Sequence, residues 1–198
     1  MERIVITLRR PSGLAIERLV HSSTELSYPE VGLTAQLDAA GIRENLAHRY
    51  DVDRHTFALG KGFSVFRRAS SALLCWHHFE IPWLHFHGSG PAIAGQVVAT
   101  VTTVAGVWFT NPCRVVYVDS RSDSNSVAYA YGTLRGHAER GEERFSVSFD
   151  PPSGEVVYEI VAFSVPALLL AKLGYPLARR LQRRFAAASA EALARAVG

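Results

Sequence analysis

The feature that most constrains the fold is a change of hydrophobic period along the chain. Between about residues 85 and 165, Val, Thr, Tyr and Phe form runs separated by Gly, Asn, Asp, Ser and Pro, which is typical of consecutive strands. From about residue 166, apolar residues recur every three or four positions, which predicts a long amphipathic helix. Consecutive strands with few crossovers favour an antiparallel sheet, so the sequence predicts an α+β fold.

Six strands are predicted in the middle of the chain, near 95–103, 106–109, 113–119, 126–138, 142–149 and 154–164. A further short strand is predicted over 3–8, and helices are predicted over 14–21, 41–48 and 61–79. Gly174-Tyr175-Pro176 is expected to kink or break the final helix.

Composition favours one globular domain spanning residues 1–198. Hydrophobic residues make up 48% of the 198, which is enough for a substantial core, and the net charge of +3 does not indicate nucleic-acid binding. The two cysteines form no disulfide framework and no C-x-x-C motif. We find neither a signal peptide nor an 18-residue apolar run, and therefore predict a cytoplasmic protein. No metal or other cofactor is predicted, because no complete set of ligands is found.

The predicted sheet is too wide for one helix to cover unless the sheet curves around it. Such a curved antiparallel sheet, gripping the long C-terminal helix, is expected to enclose an apolar cavity. Alternation places Tyr129, Tyr131 and Thr133 on one face of their strand, with Arg135 and His137 beyond them. It does not determine which face is the inner one.

Several motifs resemble those of a known family. They are Tyr28-Pro29-x-x-Gly32, His55 before Gly60-x-Gly62, Trp108-Phe109-Thr110-Asn111-Pro112, Tyr131-Gly132-Thr133-Leu134-x-Gly136-His137, Gly141-Glu142-Glu143-x-Phe145, Tyr158-Glu159-Ile160 and Gly174-Tyr175-Pro176. On these motifs, residues 24–193 resemble the DUF1990 (UPF0548) family, and residues 1–23 form an N-terminal extension. Ser164-Val165-Pro166 departs from the family pattern, in which a basic residue is expected between Ser and Pro.

The DUF1990 family is similar in layout to the START-like, polyketide-cyclase-like (SRPBCC) helix-grip superfamily. That resemblance implies a curved sheet around a C-terminal helix and a hydrophobic cavity. It implies no particular reaction, because members of the superfamily include carriers, cyclases, hydratases and regulatory binders. No catalytic residue is carried over from the family.

Two sets of residues are candidates for chemistry. A hairpin through residues 139–141 would bring His137 close to Glu142 and Glu143, as an acid–base or metal-binding group or as a solvated ion pair at a hairpin tip. Glu159 lies in an apolar strand and needs a partner, for which Arg135 or His137 could serve. It is interpreted either as a structural ion pair or as a group that orients a ligand.

Other candidates are weaker. His85 and His87 could contribute two metal ligands, but no acidic pattern completes a site. Tyr28, His55 and Tyr175 are placed in or near loops that could surround the mouth of a cavity, with ordinary packing as the alternative.

The basic residues of the last helix, Arg179, Arg180, Arg183 and Arg184, form either a solvated face or a contact with an acidic lipid or a partner.

The leading hypothesis is binding of a small hydrophobic or amphipathic ligand, such as a lipid-, isoprenoid- or polyketide-like compound, in an internal cavity. The candidate ligand-binding residues are Tyr28, His55, Trp108, Tyr129, Tyr131, Thr133, Arg135, His137, Glu159 and Tyr175. One alternative is a cyclase, hydratase or hydrolase that uses His137 or Glu159 to shuttle protons. Another is a peripheral membrane or protein-interaction factor that acts through the basic C-terminal helix.

Overall fold

A computed structural model describes residues 5–22, 25–121, 124–167 and 175–198. The strands are β1 (Val5–Thr7), β2 (Asp51–Lys61), β3 (Leu84–His87), β4 (Val97–Val104), β5 (Val107–Asp119), β6 (Ser126–Thr133), β7 (Glu139–Phe149) and β8 (Glu155–Pro166). The helices are α1 (Gly13–Ser22), α2 (Leu33–Gln36), α3 (Ala39–Leu46), α4 (Phe63–Leu74) and α5 (Tyr175–Val197), and a 3-10 turn spans His77–Phe79.

The strands form one antiparallel sheet in the order β2-β8-β7-β6-β5-β4-β3, with β1 paired to β5 outside this path. The sheet curls into a half-barrel with the C-terminal helix on its inner side, which confirms the predicted α+β helix-grip architecture. Gly174, the first residue of the predicted kink, lies outside the described residues. The described part of the last helix begins at the next residue, Tyr175.

Two strands were missing from the predicted set. β2 carries polar residues on both faces, which hides its alternation, and it pairs with β8 over most of its length. β3 is only four residues long and contains two histidines. In contrast, the two predicted strands on either side of Pro112 are a single strand, because β5 continues through this proline and pairs with β4 there.

The outer face of the sheet is covered by the first fifty residues. Ile16 of α1 packs on Ala99 and Val101 of β4. Farther along the sheet, a second cluster joins Ile42 of α3 to Phe163 of β8, and includes Tyr28, Leu46, Tyr50 and Val161. Apolar residues on both faces of β8 are therefore buried.

The inner face is covered by α4, the 3-10 turn and α5, which together form the main core. At the centre of this core, the fully buried ring of Phe145 packs against both Phe79 of the turn and Phe185 of α5, with ring centroids 5.8 and 6.4 Å away. Tyr129 and Tyr131 of the neighbouring strand lie 5.2 and 5.3 Å from the same ring. Aromatic side chains therefore fill this half of the space that the sequence predicted to be a cavity.

Candidate functional site

The inner face of the sheet differs between its two ends. At one end the inward side chains of Phe145, Tyr158 and Ile160 are buried almost completely. At the other end the inward side chains are only half-buried, although α5 crosses above them. On the strands these residues are Asp53 of β2, Glu139 and Glu143 of β7, and Ala162 and Ser164 of β8. On α5, Arg179, Gln182 and Phe185 are half-buried as well. Solvent therefore reaches the inner side of the sheet here, and we call this region the inner recess.

Glu143 and Tyr131 form the floor of the inner recess. The two residues lie directly opposite each other on β7 and β6, and the Tyr131 hydroxyl donates a hydrogen bond of 2.7 Å to the Glu143 carboxylate. Burial raises the pKa of Glu143 to about 7, and the nearby charges of Glu139 and Asp53 add to this shift, whereas the hydrogen bond from Tyr131 opposes it. Glu143 can therefore exchange a proton near neutral pH.

Polar contacts attach α5 to the sheet beside this floor. Arg179 forms two hydrogen bonds with the carboxylate of Asp53, and the amide of Gln182 donates to Glu139 over 2.8 Å. Burial raises the pKa of Glu139, while its hydrogen bonds from Gln182 and Ser164 lower it. This end of the recess is thus polar, whereas the end near Phe185 is aromatic.

Glu142 has the opposite environment to its neighbour Glu143. Because side chains alternate along a strand, Glu142 points to the outer face, where it is 2% exposed. It accepts hydrogen bonds from the Tyr28 hydroxyl (2.6 Å), the Gly32 amide (2.7 Å), and the amide and hydroxyl of Thr34 (3.0 and 2.5 Å). We call this set of contacts the outer clamp, since it holds residues 28–34 on the sheet.

Two glycines of the motifs make close packing possible around the outer clamp. A side chain at Gly132 would collide with the Tyr28 hydroxyl, which lies 2.2 Å from the position a Cβ would take. A Cβ at Gly141 would lie 1.9 Å from the carbonyl oxygen of Phe163. The Tyr-Pro, Tyr-Gly-Thr and Gly-Glu-Glu motifs therefore meet in one packing unit, so their residue types serve the fold as well as any site.

Glu159 does not face the interior, contrary to its assignment as a ligand-orienting or proton-shuttling residue. It lies on the outer face, where it pairs with Arg54 (2.6 Å) and Arg144 (2.9 Å). These contacts make it the structural ion pair that was the other interpretation, although with different partners from those predicted. A groove of about 570 Å³ opens beside it, but both of these arginines are already paired with Glu159.

The predicted group of His137, Glu142 and Glu143 is not formed. The chain turns at residues 134–138 rather than at 139–141, and the two glutamates point to opposite faces of β7. The half-buried His137 ring accepts a hydrogen bond at Nδ1 from the Glu139 amide, and burial lowers its pKa to about 4. A neutral His137 therefore stabilises the turn.

The other predicted ligand-binding residues are divided between the two faces and the surface. Tyr129, Tyr131, Thr133 and His55 lie on the inner face, His55 opposite Ile160 on the neighbouring strand. Tyr28 belongs to the outer clamp, and Trp108 lies on the outer face near Arg10 and His85. Arg135 is exposed and pairs with Glu25. The side chain of Tyr175 lies outside the part of the structure that is described.

The arginines of α5 have two different environments. Arg179 is turned inward to Asp53, whereas Arg180, Arg183 and Arg184 are exposed. The exposed guanidinium of Arg184 lies 4.8 Å from the ring centre of Trp83. Sequence reasoning missed three features of the inner recess: Asp53, Gln182 and the inward position of Glu143. The one available signal was the alternation in Gly141-Glu142-Glu143, which separates the two carboxylates once the register is known.

Comparison with known proteins identifies the family. The sequence model described as a domain of unknown function, DUF1990, matches residues 27–192. The chain belongs to the DUF1990 family. Among similar DUF1990 relatives are UPF0548 proteins of Arabidopsis thaliana (37% identical, covering 96% of each chain) and Dictyostelium discoideum (33%, covering 96% of this chain and 94% of that one).

Solved structures show the same fold at low sequence identity. The ZhuI aromatase/cyclase of a Streptomyces species is 13% identical with a TM-score of 0.55, covering 75% of this chain and 94% of that one. A hypothetical protein of Helicobacter pylori is 10% identical, also with a TM-score of 0.55, covering 86% of this chain and 94% of that one. This DUF1990 chain thus has the START-like helix-grip fold. Within the described residues, no helix has the length and apolar character needed to cross a membrane.

Proposed function

We propose that this DUF1990 protein binds a small amphipathic molecule in the inner recess, with the polar group of the molecule at Glu143 and its apolar part toward Phe185. The observation that carries the proposal is the accessible, inward-facing Glu143, which lies between the polar contacts of α5 and the aromatic layer. The helix-grip fold supports the proposal because it commonly binds hydrophobic ligands.

The two ends of the inner recess suit different parts of one ligand. The half-buried ring of Phe185, which packs on the buried ring of Phe79, offers apolar surface, and its burial contributes about 25 cal/mol per Å² before the costs of association. At the other end, the Glu143 carboxylate accepts one hydrogen bond from the described residues, that of Tyr131, and retains accessible surface. A hydroxyl or similar donor on the ligand could bond to it there. The cytoplasmic location inferred from the sequence remains a prediction.

Filling the recess tests the proposal. Ala162 lies opposite Glu143 on the inner face, so Ala162→Leu places a larger side chain in the recess. Ala128 is half-buried on the outer face, so Ala128→Leu is the matched control. Binding of N-phenyl-1-naphthylamine, a neutral apolar dye, is followed by its fluorescence. We expect about tenfold weaker binding to Ala162→Leu and no change for Ala128→Leu, since about 1.4 kcal/mol of lost contact corresponds to a factor of ten.

Native mass spectrometry of protein purified from its own cells identifies the natural ligand. A bound mass that is retained by the wild type and by Ala128→Leu but lost from Ala162→Leu would support the recess as the site. Dye binding that is equal in all three proteins would place the binding elsewhere, and wild-type protein that binds neither dye nor cellular molecule would contradict the proposed function.

A further inference from the structure

We propose that Glu143 and Tyr131 act as an acid–base pair on a small carbonyl compound that has a weakly acidic C–H bond next to the carbonyl group. The inference rests on the proposed function, because the substrate must first occupy the inner recess. It assigns to that recess a reaction class, proton transfer at carbon, and it replaces His137 and Glu159 as the candidate groups.

The geometry supports this assignment through three features. The carboxylate of Glu143 faces the recess and keeps accessible surface, so a bound molecule can touch it. The Tyr131 hydroxyl is 2.7 Å away on the adjacent strand, and both side chains come from paired strands rather than from loops. The rings of Phe79 and Phe145 lie against Tyr131 and limit the access of water from that side. A rigid base in apolar surroundings suits proton abstraction from carbon.

The step is balanced without any additional reactant. The Glu143 carboxylate takes the proton from the carbon atom, the electron pair of the C–H bond forms a carbon–carbon double bond, and the carbonyl π electrons move to oxygen. Once Glu143 is protonated, Tyr131 no longer has an anionic partner, and its hydroxyl can donate to the enolate oxygen. Return of the proton restores the carbonyl group. If a proton returns to the same carbon, the hydrogen on that carbon can be exchanged with solvent. If it returns to a different carbon of a conjugated compound, a double bond moves.

Among the described residues, the charged and titratable groups around Glu143 come from several elements that pack on the recess. They are Glu139 on the same strand, Tyr129 and Tyr131 on β6, Cys113 on β5, Tyr158 on β8, Asp53 on β2 and Arg179 on α5. Burial raises the pKa of Glu143 to about 7, so its basic form increases as the pH rises through this value. The reaction rate should follow the same rise.

The test uses 4-phenylbutan-2-one, a neutral ketone with an apolar body, dissolved in D₂O with the full-length protein. Exchange of its hydrogens next to the carbonyl is followed by proton NMR, and binding is measured in the same samples by saturation-transfer difference. We expect exchange above the buffer rate with the wild type, and loss of about 100-fold or more in Glu143→Gln, which is the usual contribution of a general base. Glu159→Gln, on the outer face, is the control and should exchange like the wild type.

Tyr131→Phe separates a chemical role from a structural one. Because the Tyr131 hydrogen bond lowers the pKa of Glu143, its removal should shift the midpoint of the pH–rate profile upward as well as slow the exchange. Circular dichroism verifies that each variant is folded.

The outcomes distinguish the inference from the proposed function. Binding of the ketone without exchange, or exchange that persists in folded Glu143→Gln, overturns the acid–base role and leaves the binding function intact. The absence of ketone binding, together with the absence of dye binding, overturns both. Hydrogen exchange that requires Glu143, together with a pH–rate profile whose midpoint shifts in Tyr131→Phe, supports the acid–base pair of Glu143 and Tyr131.

Discussion

Glu142 and Glu143 are adjacent in sequence, yet they belong to two regions with different physical properties. In the outer clamp, Glu142 is buried and accepts hydrogen bonds from four donors on residues 28–34. In the inner recess, Glu143 is half-buried and, within the part of the chain that the structure describes, has one donor, Tyr131. A fully satisfied carboxylate has no remaining capacity for a ligand, whereas a carboxylate with accessible surface and a raised pKa retains both binding and acid–base capacity.

The comparison shows that a motif in this family is not in itself a site. Gly132 and Gly141 allow Tyr28 and β8 to approach closely, and Glu142 connects the N-terminal segment to the sheet. The same stretch of β7 contributes Glu143 to the inner side. One short sequence thus carries a packing role on one face and a candidate functional role on the other, and the two can be separated by substitution.

The largest effect is expected from Glu142→Gln. The amide has one acceptor oxygen in place of two, so either the donors of Tyr28 and Gly32 or the two donors of Thr34 face an NH₂ group and lose their partner. Each buried donor left without a partner costs about 1–3 kcal/mol, so we expect a total loss of about 3–5 kcal/mol. Urea unfolding at neutral pH should show that loss in the free energy of unfolding, whereas Glu143→Gln in the same strand should show no loss. A loss below about 1 kcal/mol in Glu142→Gln would mean that the outer clamp does not stabilise the fold.

Sequence patterns predicted the architecture better than they predicted the site. The run of strands followed by a long helix was sufficient for the α+β fold, because the period of apolar residues reflects burial directly. The inner face could not be assigned, since β8 carries apolar residues on both faces: Phe163 is buried under the first fifty residues and Ile160 under the core helices. For this reason Glu159 had two open interpretations, and its ion pairs with Arg54 and Arg144 agree with the structural one. The outer covering depends on contacts between residues more than 100 positions apart, such as Tyr28 with Glu142, which local patterns do not contain.

A smaller effect on the free energy of unfolding is expected from Glu143→Gln, and at high pH it is a gain rather than a loss. The pKa of Glu143 is raised from 4.5 to about 7 in the folded state, so the folded protein binds more protons than the unfolded chain between these values. The stability that this provides is fully present below about pH 4.5 and is lost as the pH rises through 7. Ionisation of a half-buried Glu143 should cost about 2–3 kcal/mol. Glu143→Gln should therefore be more stable than the wild type by about that amount at pH 8, and similar to it at pH 4.5.

The difference between the two proteins isolates this effect. Burial lowers the pKa of His78 to about 3 and that of His137 to about 4, so these two groups make both proteins lose stability as the pH falls below 6.5. Their contribution is common to the wild type and the variant and cancels when urea unfolding is compared at each pH. A difference that does not change between pH 4.5 and 8 would contradict the raised pKa.

The smallest effect on the free energy of unfolding is expected from removing the hydroxyl groups of Tyr28 and Tyr131, one in each region. Tyr28→Phe removes a donor from the buried Glu142, where nothing replaces it, and should cost about 2 kcal/mol. Tyr131→Phe removes the donor from Glu143, where solvent can replace it, and should cost about 1 kcal/mol or less. Urea unfolding of both variants at pH 8 measures the difference. If Tyr131→Phe costs as much as Tyr28→Phe, water does not reach Glu143, and the inner recess is closed to a ligand as well.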